Sequence, residues 1–253
     1  MKALSKHPLS SFLGCGTISY LKKNQNFIEQ PLVCEEGLFY IPSSYKIDSQ
    51  DLQDTCHEQE IQQAKLYTSS LKSQEFLYSR YLIRLKLGLN KKSKPLSKKD
   101  NGAFLWPFPY NGSLSHKAGH VLCLITQSKS FVGVDLEEIR VSSKVVERIC
   151  FKKDLSLWKK LSTAVEKDKQ KYINTLFFSM KEAAFKAFSN HYSKNIDLHL
   201  KDIILETLDF QEGHFSLYIF YQNKKLRLSG RFFWLFTQEN NIEPKFVLCY
   251  IKQ

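Results

Sequence analysis

Gly133-Val134-Asp135-Leu136-Glu137, together with Phe178-Ser179-Met180-Lys181-Glu182-Ala183-Ala184-Phe185-Lys186, decides how this chain is read. Asp135 and Glu137 sit two apart in a β-rich run, so their carboxylates project from one face of a strand. Glu182 and Lys186 sit four apart in a helix-forming run and share one helix face. Three carboxylates, one ammonium and the Ser115-His116 pair can hold a divalent cation and an organic pyrophosphate. Mg²⁺ suits such a set because it prefers hard oxygen ligands and takes its remaining ligands from water and substrate phosphates.

Working outward, His120 to Thr126 is a short apolar strand, 127–130 a turn, and Phe131 to Leu136 a second strand, which together predict a hairpin. Val132, Val134 and Leu136 are expected on its core face, with Gly133, Asp135 and Glu137 opposite. Asn111-Gly112 is a turn signal ahead of Ser113-Leu114-Ser115-His116. Helices are expected over 145–150, 155–161 and 172–188. In the last, Phe177, Met180, Ala184 and Phe188 face the core, and Glu182 and Lys186 face away.

Upstream, 27–41 suggests strands around Pro31 and Pro42, and 57–88 reads as helical, with Arg80 and Arg84 an i, i+4 pair and Gly88 where a helix could stop. The tail predicts strands over 203–208, 215–221, 225–236 and 245–251. This mixed order argues for an α+β fold over a doubly wound sheet.

Composition sets the outer bounds. At 253 residues, 43% hydrophobic and 25% charged, the chain is expected to be globular and can bury a large core. No apolar run is long enough for a membrane span. Lys2 and Lys6 followed by Phe12-Leu13-Gly14-Cys15 faintly mimic a lipoprotein signal, but Ser5, His7, Pro8, Ser10 and Ser11 leave no apolar core to it. The expectation is a cytoplasmic protein with no stable membrane anchor. Cys15, Cys34, Cys56, Cys123, Cys150 and Cys249 are scattered without a CxxC pair, which predicts reduced, mostly buried thiols.

The net charge of +12 concentrates at Lys86, Lys91, Lys92, Lys94, Lys98 and Lys99. Such a run attracts phosphates or acidic surfaces, and on its own it is equally a solvated lysine loop. Each motif also has an ordinary reading. Glu182 and Lys186 could be a surface ion pair worth a few tenths of a kcal/mol. Ser115 and His116 could be a strand serine and a satisfied histidine. The His116–His120 spacing resembles a metal pair, but Gly119 weakens a helix and the zincin glutamate is absent, so zinc is not expected.

Taken as an ordered set, the motifs change that weighting. Glu75-Phe76-Leu77-Tyr78-Ser79-Arg80 with Arg84, Trp106-Pro107, Gly112-Ser113-Leu114-Ser115-His116, Gly133 to Glu137, and Phe178 to Glu182 with Lys186 follow one another as in a known family. The chain resembles the 4′-phosphopantetheinyl transferase superfamily. Within it, the likeness is to the long monomeric branch that activates siderophore and peptide synthetases, the enterobactin-synthase-component-D-like type. The resemblance implies two similar α/β halves, 1–126 and 127–253, about a pseudo-twofold axis, with coenzyme A between them.

It further implies transfer of the 4′-phosphopantetheine of coenzyme A to a serine of an apo acyl or peptidyl carrier protein, releasing 3′,5′-ADP. By that resemblance Asp135, Glu137 and Glu182 bind Mg²⁺ (or Mn²⁺), Ser115, His116 and Lys186 meet the phosphates, and Arg80 and Arg84 lie on the nucleotide side. The base for the carrier serine is Glu182 or a metal-bound hydroxide. Relatives carry a basic residue near the 3′-phosphate where this chain has Gly102; Lys98, Lys99 or Lys117 could substitute. The alternatives are a basic nucleic-acid-binding protein, for which no zinc ligands, RNP strand or helix-turn-helix pattern speaks, and a silent coenzyme A-binding relative.

Overall fold

The alternation of Val132, Val134 and Leu136 is carried into the fold: all three are buried against residues of a second sheet. The computed structural model describes residues 32–35, 37–98, 103–127, 129–192, 197–235 and 244–253. The first sheet contains β1 (Leu32–Glu35), β2 (Leu38–Ile41), β3 (Asn111–Lys117) and β4 (His120–Thr126), ordered β1-β2-β4-β3. The second contains β5 (Val132–Glu138), β6 (Ile203–Asp209), β7 (His214–Tyr221), β8 (Lys224–Leu235) and β9 (Phe246–Lys252), ordered β5-β9-β8-β7-β6. All pairings within the sheets are antiparallel.

The expected hairpin between 120–126 and 131–136 does not form. β4 pairs with β2 and β3, whereas β5 pairs with β9, Val134 opposite Tyr250 and Asp135 opposite Cys249. The reason lies in the apolar set. By crossing to the other sheet, Val132, Val134 and Leu136 pack with Leu122 and Leu124 in a core that both sheets share. The hairpin that does form joins β3 to β4. Ala118 and Gly119 both take positive φ, 50° and 82°, the two-residue turn that matches strand twist, so Asn111-Gly112 is strand and not turn.

Helices α1 (Ser49–Thr55), α2 (Glu58–Lys65) and α3 (Ser70–Leu87) precede β3; α4 (Ser143–Ile149), α5 (Lys152–Thr163) and α6 (Gln170–His191) follow β5. The helical stretch 57–88 is made of two helices, α2 and α3, because Ser69 caps a new start by accepting the N–H of Lys72. Its stop at Gly88 is as expected. Tyr78, Leu82 and Ile83 of α3 cover one face of the first sheet with Val121, Cys123 and Ile125. Phe177, Met180, Ala184 and Phe188 of α6 are buried on the second sheet, the stripe read from spacing. Among the described residues no helix is long and apolar enough to cross a membrane. Cys56, Cys123, Cys150 and Cys249 are buried and unbridged; Cys15 lies outside the described residues.

Two devices bring α6 and the sheets together. A Cβ at Gly133 would lie 1.9 Å from the Ala183 carbonyl oxygen and 2.7 Å from the Ala187 Cβ, so α6 rests directly on the β5 backbone there. Across the seam between sheets, Ser113 Oγ accepts the Val134 N–H at 3.1 Å and Ser115 Oγ accepts the Leu136 N–H at 3.2 Å. Asn190 Nδ2 of α6 donates to the carbonyls of Gly112 and Val132, one on each side of the seam. These bonds satisfy strand groups that no ladder partner reaches.

Candidate active site

The seam sets the chemistry. β3 contributes Ser115, His116 and Lys117; β5 contributes Asp135 and Glu137; α6 contributes Glu182 and Lys186. Because Gly133 lets the helix sit low on β5, Lys186 Nζ reaches Asp135 Oδ1 at 2.6 Å and donates to Ser115 Oγ at 3.1 Å. Ser115 in turn donates to Asp135 Oδ1 at 3.2 Å. Three separate sequence segments thus meet in one hydrogen-bonded triangle.

Asp135 is only 2% exposed, and its other oxygen, Oδ2, is buried with no hydrogen-bond partner among the described residues. A buried carboxylate oxygen left bare is costly, and such an atom is suited to a ligand. Glu137 is held at 2.7 Å by Lys117 Nζ. Burial pushes the Glu137 carboxyl above the usual range, with Asp135 adding to the rise and Lys117 opposing it. Glu182 is raised too, first by burial and then by Asp135, with Lys186 pulling the other way. Glu137 and Glu182 thus both feel the charge of Asp135, a field in which a cation would be stabilised.

For a divalent cation the donor set fits: hard carboxylate oxygens, one of them buried and bare. Among the described residues, however, no three His, Cys, Asp or Glu side chains converge closely enough to form a ready cage. Lys186 and Lys117 take the positions of counter-ions to Asp135 and Glu137.

His116 sits at the rim, its Nδ1 2.9 Å from Glu75 Oε2 of α3. The other Glu75 oxygen accepts the Gly119 N–H at 2.8 Å, so one buried carboxylate clamps both the histidine and the β3–β4 turn. Burial lowers the His116 pKa, Glu75 opposes that, and Lys186 and Lys98 reinforce it. Glu75 was quoted above for its motif but given no part. The signal is its place three residues before Tyr78 and seven before Leu82, on the face of α3 that packs on the first sheet, where a charge needs a partner. His120 is no metal partner of His116. It is buried, with Nδ1 accepting from Tyr40 Oη at 2.5 Å and Nε2 donating to Ser43 Oγ.

The arginines divide. Arg84 has no exposed surface and grips both Glu60 oxygens, at 2.8 and 3.1 Å, while donating to the carbonyls of Asn90 and Lys94. Glu60 also accepts the Leu96 N–H. Arg84 therefore folds the lysine-rich segment onto α2, and the nucleotide contact expected of it is not open to it here. Arg80 lies over the Phe76 ring at 4.1 Å, and its Nε is buried without a hydrogen-bond partner among the described residues. It lines a cleft of about 270 Å³ together with Gln59, Gln63, Ser97 and Lys98. Lys99 and Gly102 lie outside the described residues. Lys117, weighed for the 3′-phosphate, is instead the partner of Glu137. Lys181 of the helix motif is buried in an ion pair with Asp154 at 2.5 Å and serves the fold.

No curated protein matches the chain. Residues 131–240, the stretch that opens on β5 and contains α6, match the family model described as the 4′-phosphopantetheinyl transferase superfamily.

Proposed function

We propose that the protein transfers the 4′-phosphopantetheine arm of coenzyme A to a serine hydroxyl of an apo carrier protein, releasing 3′,5′-ADP. The single observation that carries this reading is the triangle of Ser115, Asp135 and Lys186, which joins the three motif segments around a bare, buried carboxylate oxygen. The domain match over 131–240 supports the same class of chemistry. The first sheet with α3 and the second with α6 are read as two similar halves, with coenzyme A between them and the protein acting as a monomer.

Asp135, Glu137 and Glu182 would hold Mg²⁺ or Mn²⁺. Such an ion supplies Lewis-acid neutralisation of pyrophosphate charge. The remaining work falls to side chains. Lys186 and His116 face the phosphoryl oxygens and offset the charge that grows on them as the pyrophosphate bond breaks. Ser115 holds the Lys186 ammonium in place. Glu182 accepts the proton of the carrier serine, a role that competes with its part in holding the cation. Arg80, which lines its cleft, stands on the nucleotide side.

The test is direct. Incubated with coenzyme A, Mg²⁺ and a panel of apo carrier proteins, the protein should add one phosphopantetheine mass to a carrier, siderophore-synthetase carriers first among them. No mass gain on any carrier, with coenzyme A intact, would refute the assignment.

A further inference from the structure

We propose that Glu75 is a positioning residue: it holds His116 by Nδ1 so that Nε2 meets an anionic oxygen of coenzyme A as an N–H donor. This rests on the reading just given and adds a residue to it. The geometry is specific. Glu75 comes from α3, His116 from β3, and the 2.9 Å contact puts the carboxylate on Nδ1, leaving Nε2 without a partner among the described residues on a side chain that is 48% exposed. A carboxylate on one imidazole nitrogen fixes which nitrogen keeps its proton and turns the ring.

The charge of Glu75 calls for a reason beyond the turn. Its bond to the Gly119 N–H would be made as well by an uncharged amide oxygen, yet the residue is buried and acidic. An ionised group is kept in such a place when a partner offsets it. His116 is the group within reach that can take up a proton to offset it; burial lowers its pKa in the unliganded protein, and a bound phosphate would favour the imidazolium. A neutral His116 bonded through Nδ1–H would present a lone pair at Nε2 and repel a phosphate; the imidazolium presents N–H at both nitrogens. Lys186 from α6, Lys98 from the segment before Phe104, and burial all oppose that imidazolium, and Glu75 is the group that favours it. His120 on β4 is engaged with Tyr40 and Ser43 and adds no charge.

Glu75→Gln separates the two roles, because its amide oxygen can still accept from Gly119. In the full chain, ¹⁵N NMR titration of His116 should show its midpoint lower by about one unit in Glu75→Gln, about tenfold less imidazolium at neutral pH. kcat/KM for coenzyme A should fall about tenfold, and the deficit should close as pH is lowered and His116 recharges. An unchanged midpoint, or a deficit that acid does not mend, overturns the proposal. Wild-type protein that binds no coenzyme A would instead overturn the substrate assignment, while the NMR comparison still decides whether Glu75 governs His116.

Discussion

Lys186 Nζ, on α6, lies 2.6 Å from Asp135 Oδ1, on β5, so the basic residue of the helix neutralises the buried acid of the strand. This is not the exposed ion pair with Glu182 that i, i+4 spacing alone suggests. Lys186→Ala should lower stability by about 1–3 kcal/mol, because Asp135 is left buried with less than its share of partners. Phosphopantetheine transfer should fall by about a hundredfold or more, the effect of losing a comparable charge-stabilising donor. Both are measured on one preparation, by denaturant unfolding and by carrier mass. Wild-type turnover in a folded mutant would remove Lys186 from the phosphates.

How much of this was legible follows from what spacing can encode. Strand and helix periods put Asp135 with Glu137 on one face and Phe177, Met180, Ala184 and Phe188 on another, and the fold keeps those faces. Periodicity says nothing about which strand lies beside which. Both β4 and β5 are apolar enough to pair anywhere, so the choice of β9 over β4 as the partner of β5 depended on the sheet–sheet core. Arg84 shows a second limit. The resemblance puts Arg84 with Arg80 on the nucleotide side, and only the tertiary position of Glu60, twenty-four residues earlier, shows that Arg84 is internal. Glu75 marks the reverse case, a legible anomaly on an apolar stripe whose partner could not be named until β3 was placed.

Gly133 is the point at which the fold and the site depend on each other. With a Cβ 1.9 Å from the Ala183 oxygen, Gly133→Ala must push α6 off β5. Overpacking of this kind costs about 1–3 kcal/mol or more. Moving the helix outward also lengthens the reach from Lys186 to Asp135. Transfer should therefore drop even under conditions where circular dichroism reports a folded chain. Ala at 133 with native stability and native turnover would mean that the helix is not seated on this glycine.

Acid should loosen the first sheet through His120. Its Nδ1 accepts from Tyr40 and from the Ser43 N–H, which requires the neutral ring, and burial lowers its pKa. Below about pH 6.5 the unfolded chain takes up a proton that the folded His120 refuses, so stability falls as pH drops through that value toward the lower, folded one. His116, also lowered, acts in the same direction. Glu137 and Glu182, raised, act in the opposite one. The difference between wild type and His120→Asn cancels these other groups. Denaturant midpoints for the two should converge between about pH 7.5 and pH 5.5 as the wild type loses its advantage; parallel pH curves would show that His120 does not titrate differently on folding.

Glu182 gives the sharpest separation between a surface ornament and a working acid. If it were only an exposed partner for Lys186, replacing it by glutamine would cost a few tenths of a kcal/mol and leave turnover alone. Its carboxyl is instead raised by burial and by Asp135 and Glu137, so its ionised form is an unfavourable neighbour in the cation-free protein. Glu182→Gln keeps the shape and removes that charge. Without divalent cation, Tm should rise, by about 2 °C if the gain is about 1 kcal/mol in a chain of this size. Added Mg²⁺ should stabilise the wild type by linkage and the mutant less, since one ligand and one charge are gone. Transfer should fall by about a hundredfold or more with the fold intact, the trade of stability against function expected where like charges are gathered for a ligand. A lower Tm in the mutant, together with an undiminished response to Mg²⁺ and wild-type turnover, would return Glu182 to the helix surface.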